Sequence, residues 1–229
     1  PDNSIMPLAW PEPTAPTLSA VSGSLAPGQY QVVCTFVLDD GRETGTGPAT
    51  AIDIADGQAL QISDIPQAIG AVARVYIAPA NSTAFGLAYE GFQSARLWDH
   101  PPNSLGHDLL SDDYSPIPAG ATVIQFWRGQ LYAAQHIGSM TALWFSQPLG
   151  FHLFNLVSDF LAIDGKVLML APHDQGLVIG TDKAIHVWNG ESMVMLADYG
   201  TVAGCAWDVD ETRPGKPIYF WTKRGVCRF

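Results

Sequence analysis

Apolar residues along this chain come in short runs rich in Val, Ile, Phe, Tyr, Trp and Thr, with almost no helical periodicity. The run "QYQVVCTFVL" alternates well enough for a strand. The "DDGRET" that follows predicts a hairpin turn in which Gly41 supplies a positive φ. "GPATAIDI" reads as the return strand and "QALQISDIP" as another, after which "ARVYIAPA" and "LAYEGF" pair around "NSTAFG". Turn signals every 8–12 residues among short strands are the pattern of a two-sheet sandwich. Residues 17–98 are therefore expected to form a small sandwich of the immunoglobulin or fibronectin type III class.

The rest of the chain divides around that block. Residues 1–16 carry Pro1, Pro7, Pro11, Pro13 and Pro16 and are expected to form an extended N-terminal arm. Within it, Met6, Leu8 and Trp10 are apolar side chains on an extended segment, which need a partner surface, so they are expected to contact a neighbouring subunit. Residues 99–119 form a polar, Pro-containing connector in which "HDLLSD" could make one helical turn. From residue 120 onward a strand–turn–strand scheme recurs. "QLYAAQ" (130–135), "LVIGTD" (177–182) and "IYFWTK" (218–223) fall in register at intervals of 47 and 41 residues. A period of 40–50 with three or four strands per unit is the signature of β-propeller blades, because one twisted sheet cannot bury both faces alone. The expected fold is thus all-β: an immunoglobulin/fibronectin-III-like sandwich plus a partial propeller of about three blades over 120–229. Meander hairpins of a barrel are the alternative.

Composition narrows this further. The chain has 229 residues, 47% apolar and only 14% charged, as a folded protein requires. No apolar run approaches the length of a membrane span, and no membrane contact is expected. The N-terminus lacks a basic region followed by an apolar stretch, so it does not read as a signal peptide, and both ends read as cuts through a longer polypeptide. A net charge of −11 argues against tight nucleic-acid binding and leaves open only a channel that lets DNA slide past without sticking. Cys34, Cys205 and Cys227 are odd in number and widely spaced, which favours reduced thiols over a disulfide framework.

Candidate chemistry reads weakly. Gly176, Gly180 and Gly190 could suggest a phosphate loop, but the following "TDKAIHVW" is a strand and not a helix start. His100, His107, His136, His152, His173 and His186 show no metal-ligand spacing; His173-Asp174 comes nearest and sits in an expected turn. Asp39-Asp40, Asp112-Asp113 and "DVDE" (208–211) lack the calcium-loop pattern. Ser139 and Ser146 stand in no nucleophile elbow, and Glu90 reads as an ordinary strand residue. No catalytic residue, cofactor or metal is expected. Trp127, Trp144, Trp188, Trp207 and Trp221 recur near strand ends and read as core between repeats, with a sugar-stacking or subunit-contact surface as the alternative.

Four segments carry a family resemblance: "PGQYQVVCTFVLDDGRETGTGP" (27–48), "ARVYIAPANSTAFGLAYEG" (73–91), "VIQFWRGQLYAAQ…LWFSQP" (123–148) and "GLVIGTDKAIHVWNG" (176–190). Together with the Phe151–Phe154 "F-x-x-F" stretch, they resemble phage tail nozzle or hub proteins of the tail tubular protein B and phage stabilisation type. The likeness spans about 160 of the 229 residues and rests on pattern; the chain is far shorter than such proteins. It implies a structural virion component, assembled in the host cytoplasm. Such proteins form homo-oligomeric rings, commonly hexamers, that contact other tail proteins around a DNA channel used in ejection. A carbohydrate-binding or carbohydrate-cleaving tail module on a propeller scaffold is the alternative. A bacterial adhesin or scaffolding fragment with the same folds is a third.

Overall fold

The computed structural model describes residues 10–229. Over these residues the structure is all-β, with five antiparallel sheets and one 3-10 turn at Pro102–Ser104. It divides between Pro116 and Ile117 into two compact units.

The N-terminal unit has two sheets. One orders β3 (Thr50–Ile54), β2 (Gly28–Leu38), β5 (Ala71–Ala78) and β6 (Gly86–Gly91); the other orders β1 (Thr17–Ser22), β4 (Gln58–Ser63) and β7 (Arg96–Trp98). Strand alternation sends Val32, Cys34 and Phe36 of β2 and Ala73, Val75 and Ile77 of β5 inward. They meet Leu60 and Ile62 of β4 and Trp98 of β7 in one buried cluster, the packing of an all-β sandwich. Burying each Val, Leu, Ile or Phe side chain of this set contributes roughly 1.5–3 kcal/mol.

The predicted "DDGRET" turn forms, with Gly41 at φ 84°. The return is not a simple hairpin. Glu43 bridges Val37, the Thr44 amide donates to the Phe36 carbonyl and the Gly47 amide to the Cys34 carbonyl; β3 then pairs with the first half of β2. The 44–47 segment runs between two others: a Cβ on Gly45 would strike the Tyr114 carbonyl, and one on Gly47 the Pro13 carbonyl. Glycine is the residue that fits where backbones approach this closely.

Segment 99–116 differs from the expected connector. The helical turn anticipated at 107–112 does not form, because Asp108 bridges Gly86 and the segment stays extended beside β6. The Leu87 amide donates to the His107 carbonyl and the Leu109 amide to the Phe85 carbonyl. Leu109 thereby covers Val33 and Tyr76 on the outer face of the four-stranded sheet. This second cover explains why β2 and β5 are buried on both faces.

The C-terminal unit consists of three meander sheets. The first holds β8 (Ala121–Trp127), β9 (Gln130–Ile137), β10 (Met140–Phe145) and β11 (Phe160–Asp164). The second holds β12 (Val167–His173), β13 (Gly176–Thr181), β14 (Ile185–Trp188) and β15 (Met193–Ala197). The third holds β16 (Trp207–Val209), β17 (Ile218–Thr222) and β18 (Gly225–Arg228). The segments that align in the sequence are the second strands of these sheets. Leu143, Ile163, Leu170, Leu177 and Ile179 join the first sheet to the second; Met169, Val178, Ile185, Ile218 and Phe220 join the second to the third. The middle sheet is therefore covered on both faces, and every residue of "GLVIGT" is buried. Its glycines serve close packing: a Cβ on Gly180 would strike Thr201, and one on Gly176 would strike Val187.

Candidate functional site

In the N-terminal unit a polar cluster lies on the outer face of β2 and β5. Thr35 and Arg74 lie opposite each other on β2 and β5, with Tyr76 two residues along on the same face. Glu43, brought over by the 44–47 arch, accepts from Thr35 Oγ1 (2.6 Å) and Tyr76 OH (2.7 Å), and pairs with Arg74 Nη1 (2.6 Å). Arg74 Nε reaches Glu90 at 2.6 Å, so Glu90, read from the sequence as an ordinary strand residue, is half of an ion pair. With its proton given to Glu43, the Tyr76 oxygen is left to accept from His107 Nε2 at 3.2 Å.

Burial first, then the Glu43 carboxylate, pushes the Tyr76 phenol above its ordinary value. Burial works against the Arg74 charge, but Glu90 and Glu43 outweigh it and raise its pKa. The cluster therefore holds a proton donor and a cation against two carboxylates, and ties the arch, β5, β6 and the 107 segment together. Glu43→Ala leaves Tyr76, Thr35 and Arg74 without their shared acceptor. The expected cost is about 3 kcal/mol, read as a drop in thermal midpoint, with Glu43→Gln losing less because the amide oxygen still accepts.

In the C-terminal unit the sheets are stitched turn to turn. At one end Arg128, at φ 47° before Gly129, stacks on Trp127 (4.5 Å) and donates to the carbonyls of Asp174 (2.7 Å) and Asn189 (2.9 Å) in the second sheet. Trp127 Nε1 adds a bond to the His173 carbonyl at 2.9 Å. His173 Nδ1 accepts from the Gln175 amide (3.2 Å), which leaves Nε2 to donate to the Gly215 carbonyl in the third sheet (2.9 Å). The "APHD" turn, the nearest thing to a metal motif in the sequence, thus joins two sheets.

At the other end a threonine turn repeats. Thr181 and Thr222 end the second strands of their sheets, and both are buried. Each hydroxyl accepts from the amide two residues on (Lys183 and Arg224, both 3.1 Å) and donates to a carbonyl three residues on (Ala184, 3.1 Å; Gly225, 2.8 Å). The next residue then bonds the preceding crossover: the Asp182 amide to the Lys166 carbonyl, and the Lys223 amide to the Gly200 carbonyl. The two threonines already align in the sequence; their role needed the structure.

His186 stands on β14 between Ile179 of β13 and Met195 of β15. Burial lowers its pKa, with Asp164 acting in the opposite sense. An imidazole that resists protonation when folded is protonated first in the unfolded chain. Stability is therefore expected to fall as pH drops below the ordinary 6.5, until the lowered folded value is passed. Thermal midpoints measured from pH 7.5 to 5 should show a decline that His186→Gln flattens.

The remaining expected positions disperse. Met6 and Leu8 lie outside the described residues. Trp10 is partly buried against the N-terminal unit's own core, near Gly70, with its Nε1 buried and unpartnered. Ser146 accepts from the Leu131 amide and donates to the Gln147 carbonyl, so it pins β9 to the "LWFSQP" segment. Asp210 caps Thr212 and pairs with Arg213. Cys34, Cys205 and Cys227 are free thiols, and burial pushes Cys34 up to about 12. Among the described residues no group of three His, Cys, Asp or Glu side chains is placed to hold a metal ion. Of the repeat tryptophans, Trp127 is core, Trp144, Trp188 and Trp207 are half-buried, and Trp221 is exposed.

Two surfaces stay open. The third sheet carries a shallow cavity of about 360 Å³ lined by Cys205, Trp207, Asp208, Tyr219, Trp221 and Val226. On β15, Met193, Val194, Met195 and Leu196 are all exposed, although successive side chains point to opposite faces. Compared with protein-family models, curated proteins and solved structures, the chain finds no match.

Proposed function

We propose that this chain is a non-catalytic structural component of a bacteriophage tail, a nozzle or hub protein whose copies form a ring around the DNA channel. In this reading the N-terminal unit is an immunoglobulin- or fibronectin-like sandwich, and the C-terminal sheets are about three blades of a propeller. The observation that carries it is the repeat: three meander sheets, each covering the next and tied by the same threonine turn in the second and third. Stacked small sheets suit a rigid wall, since each buries its neighbour's apolar face. The residue types that tie them are structural in their bonding: Arg128, His173, Thr181 and Thr222 all bond main-chain groups.

The acidic balance supplies the mechanism. With 22 acidic against 11 basic residues, carboxylates lining a lumen would repel the DNA backbone, so the genome passes without being held. Electron microscopy of the assembled protein tests this. A closed ring with an axial opening lined by carboxylates is expected; a predominantly basic lumen would overturn the proposal.

One observation favours a second reading. The Trp207, Tyr219 and Trp221 rings with Asp208 around one shallow cavity suit a sugar-stacking site. Quenching of tryptophan fluorescence by bacterial surface polysaccharide fragments, lost in Trp221→Ala, would support it; no response to any fragment would remove it.

A further inference from the structure

We infer that the turn between β14 and β15 modifies itself: the Gly190 nitrogen attacks the Asn189 side chain, and the linkage becomes isoaspartyl, with its new carboxylate paired to Arg128. The chemistry goes beyond the ring reading and needs no second copy.

The nucleophile is readable in the sequence. Asn189 is the chain's one asparagine followed by glycine. The reaction closes a five-membered ring by bringing the next residue's nitrogen onto the side-chain carbonyl carbon, and a side chain on that next residue crowds the approach. Glycine has none. Gly190 stands at φ 106°, so the turn itself calls for glycine where the chemistry needs it. Both residues are exposed, so water reaches them. Among the described residues the Gly190 amide has no hydrogen-bond partner.

The fold supplies the electrophile. Asn189 Oδ1 accepts from the Glu191 and Ser192 amides, both at 2.8 Å. The Asn189 main-chain oxygen accepts from Arg128 Nη1 at 2.9 Å. Arg128 is held in place by its stacking on Trp127 and its bond to the Asp174 carbonyl. The side-chain nitrogen, which has to leave, has no partner among the described residues. Fixed amides on an oxygen that gains negative charge in the transition state form an oxyanion hole.

The steps balance with water as the one co-reactant. The Gly190 nitrogen bonds to Asn189 Cγ, the Cγ–Nδ2 bond breaks, and the amide proton leaves with ammonia, so that a succinimide remains. Water then opens the ring. Arg128 polarises the former main-chain carbonyl, so water adds at that carbon and its bond to the Gly190 nitrogen breaks. One proton returns to that nitrogen and one goes to solvent, leaving a carboxylate beside the guanidinium. The chain now runs through Cγ, and both oxygens keep their donors. The former Oδ1 is the new peptide oxygen facing the Glu191 and Ser192 amides. The neutral acceptor of Arg128 has become an anion, and a charge-assisted pair is stronger than a neutral one. The stitch between the first and second sheets therefore tightens as the protein ages.

The test incubates the full chain at mildly alkaline pH and follows residue 189 by peptide mapping and by isoaspartyl-specific enzymatic methylation. Ammonia loss at Asn189 should be at least about tenfold faster in the native chain than in the same chain unfolded in urea. The native product should be mainly isoaspartyl, and Arg128→Lys should shift it toward aspartyl. Asn189→Asp, which lacks the amide leaving group, should form no isoaspartate on that timescale. A native chain that reacts no faster than the unfolded one overturns the inference, whether or not Arg128→Lys folds. A product ratio unchanged in folded Arg128→Lys overturns the role given to Arg128. The ring reading is untouched by either result.

Discussion

Gly45→Ala is expected to destabilise the N-terminal unit by about 3 kcal/mol or more, a loss on the order of 10 °C in its thermal midpoint. The reason is local and steric. Gly45 has no positive φ, so its backbone is open to any residue, but an added methyl would enter the Tyr114 carbonyl. The atoms it would meet, the Tyr114 carbonyl and the Ser115 nitrogen, are main chain and cannot swing aside. The Thr44 carbonyl accepts from Ser111 Oγ at 3.0 Å, and Thr44 and Gly47 are bonded back to β2, so the arch is held on both sides. Opening it would also pull Glu43 away from Arg74 and Tyr76. Gly41→Ala is the control. Gly41 sits at φ 84° with open space around it, so the substitution should cost only about 1–2 kcal/mol, the ordinary cost of a left-handed alanine. Calorimetry of the two variants side by side checks the difference; equal losses would mean the 44–47 arch is not clamped.

Gly200→Ala is expected to have a comparable effect on the C-terminal unit. Gly200 is buried, and a methyl there would enter the Thr181 carbonyl and the Asp182 backbone. Those atoms belong to the stitch between the second and third sheets: the Thr201 amide donates to the Thr181 carbonyl at 2.8 Å, and the Lys223 amide to the Gly200 carbonyl at 3.0 Å. Forcing the crossover outward breaks both bonds and separates Val178 and Met169 from Phe220. Hydrogen exchange provides the readout. The Thr201 and Lys223 amides should exchange much faster in Gly200→Ala, while amides of β9 and β10 keep their protection. Gly204→Ala, at φ 71° with no neighbour close, should leave both stitching amides protected.

Much of this architecture is legible in the sequence, because alternation and turn chemistry are local properties. The β2 run, the Gly41 turn, the β5–β6 pair and the Arg128-Gly129 turn each declare themselves in a few residues. The register of the three second strands is legible as well, since meander sheets return to the same pattern after each crossover. What is not legible depends on where distant backbones meet. "TGTGP" reads as a flexible turn, whereas its glycines are required by Tyr114 and Pro13, which lie far away in the chain. The 99–119 stretch reads as a polar connector because its composition is polar; one side chain, Leu109, makes it a cover for the sheet.

The Glu43 cluster is not legible in the sequence for a similar reason. A single Arg in the apolar strand "ARVYIA", two residues from a tyrosine, is the available signal that the outer face of β5 carries polar partners, and Glu90 gains meaning only beside it. The tryptophans divide between core and surface by which sheet face has a neighbour, a question that composition does not answer. Trp221 alternates correctly with the buried Ile218–Phe220–Thr222 set and is exposed because no described residue covers that face.

The mass of the chain in solution tests most directly the proposal that its copies build a ring. Native mass spectrometry of the full chain should give one discrete oligomer, a hexamer, with no ladder of larger species. A monomer at every concentration, or an open-ended series of assemblies, would contradict it.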